Sequence, residues 1–283
     1  MHDSKTMHSG SDEDSKLGSI LEKAYQETGL SYNEVLHLLH IEDPDKLQAL
    51  YDTAVSLRSR YFGNAVYLYG FLYVSTYCRN SCSFCSFRKE NMHCARYRKT
   101  TEEIVKAALI LQDYGVHLLD LTMGEDPYFH NQAPGLQSLL EMVKSVKSAT
   151  SLPLMISPGV LSYDMLQDLR SVGVSWYACY QETYNRDLFA ALRCRQGFSR
   201  RMEAKRNAQQ LGFRTEEGIL CGVGERPADL AESLLEMSSG HFDQLRAMTF
   251  VPQRGTPLAS SPGQGSAMEL KLIAVLRLLN PSK

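Results

Sequence analysis

Three cysteines lie within eight residues of this chain, and their spacing limits the chemistry they can perform. They are Cys78, Cys82 and Cys85, in the sequence CRNSCSFC. Three thiolates on one short loop can ligate three irons of a [4Fe–4S] cluster and leave the fourth iron open. A structural zinc site would need a fourth ligand, which His93 or Cys94 could supply. The spacing therefore predicts an iron–sulfur cluster, with a zinc site as the alternative.

The elements around this loop are predicted to be alternating strands and helices. Short apolar strands are expected at AVYLYGFLYVST, VHLLDLT, LPLMIS, VSWYACY, FRTEEGILC and QLRAMTF, with amphipathic helical stretches between them. This alternation predicts parallel strands joined by crossovers, in six strand–helix units. Thr101, followed by two glutamates, is expected to open the helix after the cysteine loop.

Polar residues gather where these strands end. Cys78 follows the first strand, Glu125 and Asp126 the second, Ser157 the third and Glu182 the fourth. In parallel α/β barrels the carboxyl ends of the strands carry the active site. The predicted fold class is therefore an α/β barrel with its active site at the carboxyl ends of the strands.

The sequence before the first strand divides into two parts. Residues 1–16 are polar and rich in Ser and Asp, which predicts a disordered tail. Residues 17–61 are predicted to be a helical N-terminal extension, in which Ser31 and Glu34 form a capping box. Residues 62–283 are predicted to form the barrel core.

The bulk composition excludes several functional classes. Of the 283 residues 43% are hydrophobic, and the net charge is −2 without a block of like charge, so no nucleic-acid partner is expected. No apolar run is long enough to cross a membrane, and the N-terminus lacks a signal sequence. We expect a soluble, cytoplasmic protein whose cysteines serve a metal site.

Several longer motifs carry a resemblance to a known family. They are YFGNAVYLYGFLYVSTYC, RYRKT, LLDLTMGEDPYF, MISPGV, YQETYNRDLF, GILCGVGE and MTFVPQRGTPL. Together with the C-x3-C-x2-C spacing, they resemble the methylornithine synthases of pyrrolysine biosynthesis, which are radical S-adenosylmethionine (SAM) isomerases. Biotin synthases and the iron-only hydrogenase maturases are similar at a greater distance. The resemblance implies a radical-SAM, TIM-type barrel that converts L-lysine to (3R)-3-methyl-D-ornithine.

The resemblance also implies roles for individual residues. Cys78, Cys82 and Cys85 would hold the [4Fe–4S] cluster. Cofactor-binding positions would be Phe84, Gly124, Glu125, Ser157, Glu182 and Arg201. Arg246 would bind the substrate carboxylate and Asp120 a substrate amino group, while an electron donor such as flavodoxin or ferredoxin would reduce the cluster.

Two departures from the family pattern lead to further expectations. Arg195 stands where the family's LR-x-G-Q stretch has a small residue, close to the cofactor site. The family barrel has eight strand–helix units and this sequence predicts about six. We therefore expect an incomplete barrel, C-terminally truncated relative to the family, that lacks mutase activity alone and that a second chain could complete. The alternatives are another biotin-synthase-like radical SAM enzyme, or an inactive cluster-binding chain.

Overall fold

The first helix begins earlier in the chain than the composition suggests. The structure, a computed structural model, describes residues 7–131, 133–263 and 265–283. Helix α1 spans Met7–Tyr25. The predicted disordered tail is therefore wrong for residues 7–16, and its first six residues lie outside the described part of the chain. Helix propensity explains the error, because Lys, Glu and Ser are tolerated in a helix whose apolar residues, Leu17 and Ile20, are buried.

Six parallel strands form one sheet, and they follow one another in chain order. This arrangement confirms the predicted α/β class, because each crossover returns the chain to the same end of the sheet, where the next parallel strand begins. The first strand begins four residues later than predicted. The strands are β1 Tyr69–Ser75, β2 Leu118–Met123, β3 Leu154–Ser157, β4 Trp176–Ala178, β5 Arg214–Cys221 and β6 Gln244–Thr249.

Helices cover the outer face of this sheet, and the main core lies between them and the strands. Leu119, Leu121 and Ile156 are fully buried there, against Ile104 and Val143 of the helices. The helices of this sheet unit are α4 Thr101–Asp113, α5 Pro127–Asn131, α6 Ala133–Ala149, α7 Tyr163–Ser171, α8 Arg186–Leu192 and α9 Phe198–Gln210. Thr100, one residue before the predicted Thr101, caps α4 in a capping box with Glu103.

The opposite face of the sheet carries the polar side chains. Because side chains alternate along a strand, the residues paired in register share one face. Phe71 pairs with Asp120, Thr122 pairs with Ser157, and Gly218 pairs with Arg246. We call this the inner face. It brings the two predicted substrate residues to the same side of the sheet.

The remaining helices form a second compact unit. They are α1, α2 Tyr32–Leu39, α3 Pro44–Phe62, α10 Pro227–Ser239 and α11 Ala267–Leu279. In this helical unit α11 packs on α3 and α10 on α2, and Lys271 donates hydrogen bonds to the carbonyls of Leu39 and Ile41 at the end of α2. The structure thus groups two C-terminal helices with the N-terminal extension, whereas the sequence interpretation assigned all of residues 62–283 to the barrel.

Two local predictions in the helical unit can be compared with the structure directly. Ser31 and Glu34 form both bonds of the predicted capping box at the start of α2. Among the described residues, no helix is long and apolar enough to cross a bilayer.

Candidate cluster and cofactor site

The cysteine loop leaves the end of β1 and is held in place by a single guanidinium. Arg96 donates hydrogen bonds to the carbonyls of Thr76, Phe87 (3.0 Å), Arg88 (2.6 Å) and Asn91 (3.2 Å). A guanidinium has five donors in a rigid plane, so it can satisfy several carbonyls that would otherwise lack partners. Arg96 therefore fixes the base of the loop.

A second set of contacts ties this loop to the rest of the sheet unit. Asn91 is buried, and its side-chain amide donates to the carbonyls of Ser86 and Arg254, each at 2.9 Å. Ser83 donates from its backbone N–H to the carbonyl of Leu192 at 2.8 Å. The last residue of α8 and the segment after β6 thus both brace the cysteine loop.

The three cysteines lie in surroundings that disfavour free thiolates. Cys82 is buried, and Cys78 and Cys85 are half-buried. Burial raises the pKa of the Cys78 thiol, and it raises that of Cys85 to about 12. A metal reverses this effect, because a coordinating thiol is deprotonated outright. The three thiols are therefore suited to iron ligation and poorly suited to act as free nucleophiles.

The cysteines open onto a cavity of about 190 Å³ on the sheet unit. Every residue predicted to hold the cluster or the cofactor lines it: Cys78, Cys82, Phe84, Cys85, Gly124, Glu125, Ser157, Glu182 and Arg201. Neither His93 nor Cys94 is among its lining residues, so the fourth zinc ligand that the sequence left open does not face this space.

The geometry also distinguishes the two metal predictions. Among the described residues, no group of three or more His, Cys, Asp or Glu side chains comes close enough to hold a single metal ion. A closed zinc site requires such convergence, whereas each thiolate of a [4Fe–4S] cluster ligates a different iron. The spread of the three cysteines around one cavity therefore fits a cluster better than zinc.

Glu125 and Arg201 form a charged pair on one wall of the cavity. Arg201 Nη1 lies 3.6 Å from Glu125 Oε1, which also accepts a hydrogen bond from the Val160 N–H at 3.0 Å. Burial opposes the ionisation of Glu125, but this N–H and the positive charges of Arg201 and Arg79 outweigh it and hold its pKa below the usual range. The wall thus presents an ionised carboxylate and a buried guanidinium.

Glu182 occupies the facing wall in an unusual backbone conformation. Its φ of 70° lies in the left-handed region, and two backbone hydrogen bonds to β5 hold it there. Arg193 Nη2 donates to Glu182 Oε1 at 2.5 Å. Burial nevertheless raises the pKa of Glu182, in spite of Arg193 and Arg201. Strain at a buried polar residue is typical of functional sites.

The two predicted substrate residues lie next to this cavity but do not line it. Asp120 is buried on the inner face, and both of its carboxylate oxygens accept from the Ser157 hydroxyl at 2.8 Å. Burial, assisted by the nearby Glu216, raises the pKa of Asp120 to about 7. Since Ser157 lines the cavity, it connects the predicted cofactor site with the side chains of the inner face around Asp120, Glu216 and Arg246, which we call the inner-face cluster.

Arg246 is paired with a carboxylate that the sequence interpretation missed. Its Nε and Nη2 atoms both lie 2.9 Å from Oε1 of Glu216, a residue with no exposed surface. Tyr180 donates to Oε2 of the same carboxylate at 2.7 Å, and Tyr69 at 3.3 Å. The Arg246 guanidinium also lies over the rings of Tyr69 and Phe71. Glu216 therefore connects three side chains of the inner face.

The sequence contained a signal for this residue. Glu216 and Glu217 are adjacent acids in the apolar run FRTEEGILC, and charged residues are rarely buried unless paired. The alternation of side chains sends Glu216 to the inner face and Glu217 to the outer face, where Glu217 pairs with the buried Lys205. Arg193 and Gln196 were also missed, although both contact Cys82.

Arg195, expected to lie close to the cofactor site, does not line the cavity. Its side chain is exposed, and its φ of 63° lies in the left-handed region. Glycine adopts this conformation without steric cost, which explains the small residue in the family pattern. The departure therefore affects the backbone of the turn and not the chemistry of the cavity.

A parallel α/β sheet with a three-cysteine loop after its first strand defines a radical SAM enzyme. Consistent with this, the family description "Radical SAM superfamily" matches residues 72–237. The chain belongs to this superfamily and, within it, to the 3-methylornithine synthase family. Members of the superfamily use a [4Fe–4S] cluster and SAM.

Individual relatives support this assignment. The chain is 42% identical to the 3-methylornithine synthase of Methanosarcina barkeri over 96% of its own length and 76% of that protein. It is 30% identical to the hydrogenase maturase subunit HydE of Thermotoga maritima over 86% of its length and 68% of that protein. A crystal structure of methylornithine synthase superposes with a TM-score of 0.88 at 42% identity, covering 93% of this chain and 77% of the other.

Proposed function

We propose that this chain catalyses the radical conversion of L-lysine to (3R)-3-methyl-D-ornithine. The names of its relatives suggest the reaction, and the inner-face cluster supports it. This group of side chains consists of two buried carboxylates, Asp120 and Glu216, and one guanidinium, Arg246. It lies beside the cavity whose lining residues are predicted to hold the iron–sulfur cluster and SAM. It is the observation that carries the proposal.

The charge of these side chains complements that of lysine. With both carboxylates ionised, the set of Asp120, Glu216 and Arg246 carries one net negative charge. Lysine at neutral pH carries two ammonium groups and one carboxylate, and so one net positive charge. A substrate ammonium beside Asp120 would favour ionisation of this carboxylate, against the burial that raises its pKa to about 7.

The residues divide the work of holding the reactants. The iron–sulfur cluster would be held by Cys78, Cys82 and Cys85. Together with bound SAM it would supply the one-electron chemistry that initiates hydrogen abstraction from the substrate. Arg246 would bind the substrate carboxylate through a planar two-point contact, and Asp120 would bind an amino group.

Aromatic residues border the substrate side of the inner face. Tyr69 and Tyr180 pack on the apolar patch formed by Leu118, Met155 and Ala178. Such a surface excludes water from a reacting radical. A protein electron donor of the flavodoxin or ferredoxin class and a cytoplasmic location, where thiols stay reduced, complete the proposal.

The test is product formation under anaerobic conditions. The reconstituted chain is incubated with 13C-labelled L-lysine, SAM and dithionite, alone and fused to the part of the Methanosarcina barkeri relative that it does not cover. We expect labelled methylornithine from the fused form, measured by mass spectrometry, and none from its Cys82→Ala variant. Cleavage of SAM in both forms without any lysine-derived product would contradict the proposal and favour the biotin-synthase-like alternative.

A further inference from the structure

The turn between α8 and α9 reaches one of the three predicted cluster ligands. It comprises residues 193–197, and the carbonyls of Ala191 and Leu192 just before it accept hydrogen bonds from Ser83. Ser83 directly follows Cys82 in the chain. The end of α8, directly before the turn, is therefore fixed to the cysteine loop.

Two side chains of this turn contact the Cys82 sulfur. Gln196 Nε2 lies 3.0 Å from Cys82 Sγ, and Arg193 Nη1 lies 3.8 Å from the same atom. Cys82 is 5% exposed and Arg193 8%, so these contacts are shielded from water. Among the side-chain donors of the described residues, these two are the ones that reach a predicted cluster ligand within hydrogen-bonding distance of sulfur.

The orientation of the Gln196 amide is determined by its other neighbour. Gln196 Oε1 accepts a hydrogen bond from Arg201 Nη1 at 3.1 Å. Arg201 has only donors to offer, so the amide oxygen must face it and the amide nitrogen must face the sulfur. The Gln196–Cys82 contact is therefore a donation to sulfur.

Arg193 brings a positive charge to the same place. Its Nη2 atom donates to Glu182 and, at 3.1 Å, to the carbonyl of Tyr180. Its guanidinium also lies 5.4 Å from the centre of the Phe84 ring. Its Nε is buried without a hydrogen-bond partner among the described residues. Arg193 thus links a predicted cofactor residue, Glu182, to a predicted cluster ligand.

We propose that Gln196 and Arg193 act on the cluster through the Cys82 sulfur and raise its reduction potential. Reduction adds one electron, taken from a one-electron donor protein or from dithionite, and makes or breaks no bond. Donors and positive charge beside a sulfur ligand stabilise the additional negative charge, and in a buried site water does not screen them. The two residues are positioning residues, because they act through the ligand and do not touch the substrate.

The experiment measures the midpoint potential of the reconstituted cluster by anaerobic redox titration followed by electron paramagnetic resonance, without lysine. Gln196→Met keeps the length of the side chain but cannot donate, so the potential should become more negative than in the unmodified protein. Gln196→Glu places an acceptor there and should shift the potential further in the same direction. Electron paramagnetic resonance detects only protein that carries a cluster, so incomplete reconstitution of a variant does not change its measured midpoint potential.

Arg195→Gln provides a matched control from the same turn. It removes one positive charge, but Arg195 is exposed and its charge is screened by solvent, so its potential should stay that of the unmodified protein. Potentials of both Gln196 variants equal to that of this control would overturn the proposal. Because lysine is absent, this outcome would leave the proposed function untouched.

Discussion

At the scale of single residues, the contact between Glu216 and Arg246 fixes the orientation of the guanidinium that is proposed to bind the substrate carboxylate. A guanidinium over aromatic rings has several possible orientations, and a buried carboxylate that accepts from two of its nitrogens selects one. The edge of Arg246 that does not face Glu216 is then directed by this contact. Glu216 therefore orients Arg246 for the proposed substrate carboxylate and need not contact the substrate itself.

This arrangement predicts non-additive effects on lysine recognition. Arg246→Lys should raise the KM for lysine at least tenfold, because a lysine cannot reproduce a two-point contact, and Glu216→Gln should raise it less. The double variant should be no worse than Arg246→Lys, since Glu216 acts through Arg246. Steady-state kinetics in the fused protein measure this, and SAM cleavage without lysine should be unchanged throughout.

Glu232→Gln, which changes an exposed acid on α10, serves as the control and should have no effect on the KM for lysine. Additive losses in the double variant would show that Glu216 contacts the substrate independently.

The sequence predicted the cavity better than it predicted the side chains that support it. Spacing predicted the three cysteines and the family resemblance predicted the six cofactor positions, and all nine residues line one cavity. Glu216, Arg193 and Gln196 were missed because their roles depend on which side chains meet across strands and turns. Spacing along the chain does not encode such meetings.

At the scale of elements, the ends of the strands allow very little space for side chains. Gly124 directly follows β2, and a Cβ there would lie 2.4 Å from the Tyr77 carbonyl oxygen and 2.7 Å from Cys78 Cβ. Backbone cannot yield to such a contact without moving the cysteine loop. The close approach of the two strand ends therefore requires glycine.

Gly124→Ala is accordingly expected to reduce the iron bound after anaerobic reconstitution to well below that of the unmodified protein. Gly18→Ala is the matched control: a Cβ at Gly18 meets nothing within 4 Å, and alanine favours the helix α1. Iron and sulfide analysis measures the result. Equal iron in both variants would mean that the loop can move away from β2 and still hold the cluster.

The elements themselves were largely predictable. All six strands and the capping box at Ser31 follow from apolar runs and capping residues, which are local signals. The start of α1 and the grouping of α10 and α11 with the N-terminal helices were not predicted. The grouping depends on packing between segments distant in the chain, such as α11 on α3, whereas the start of α1 reflects a helix propensity that the polar composition of the tail concealed.

At the scale of the whole molecule, the buried Asp120 makes stability depend on pH. Its pKa is raised by burial from an ordinary value near 3.8 to about 7, so between these values the folded protein holds a proton that the unfolded chain has lost. The free energy of unfolding contributed by this group therefore decreases as pH rises from about 4 to 7, by at most about 1.4 kcal/mol per pH unit.

Asp120→Asn should remove this contribution and flatten the dependence on pH, as measured by urea unfolding at pH 5, 6 and 7. Asp168→Asn, at an exposed position on α7, should leave the dependence as it is. An identical slope for Asp120→Asn and the unmodified protein would indicate that Asp120 is ionised in the folded state throughout this range.

The adjacent acids of β5 also bear on how such a protein can change over evolutionary time. Glu217 pairs with Lys205 on the outer face, while its neighbour Glu216 pairs with Arg246 on the inner face, so one strand contributes to the scaffold and to the proposed substrate side. A substitution at position 216 would change the inner face and leave the Glu217–Lys205 pair of the outer face in place. Divergence of substrate preference among descendants of this fold can thus proceed by point changes on β5, whereas insertion or deletion of one residue would exchange the two roles and abolish both.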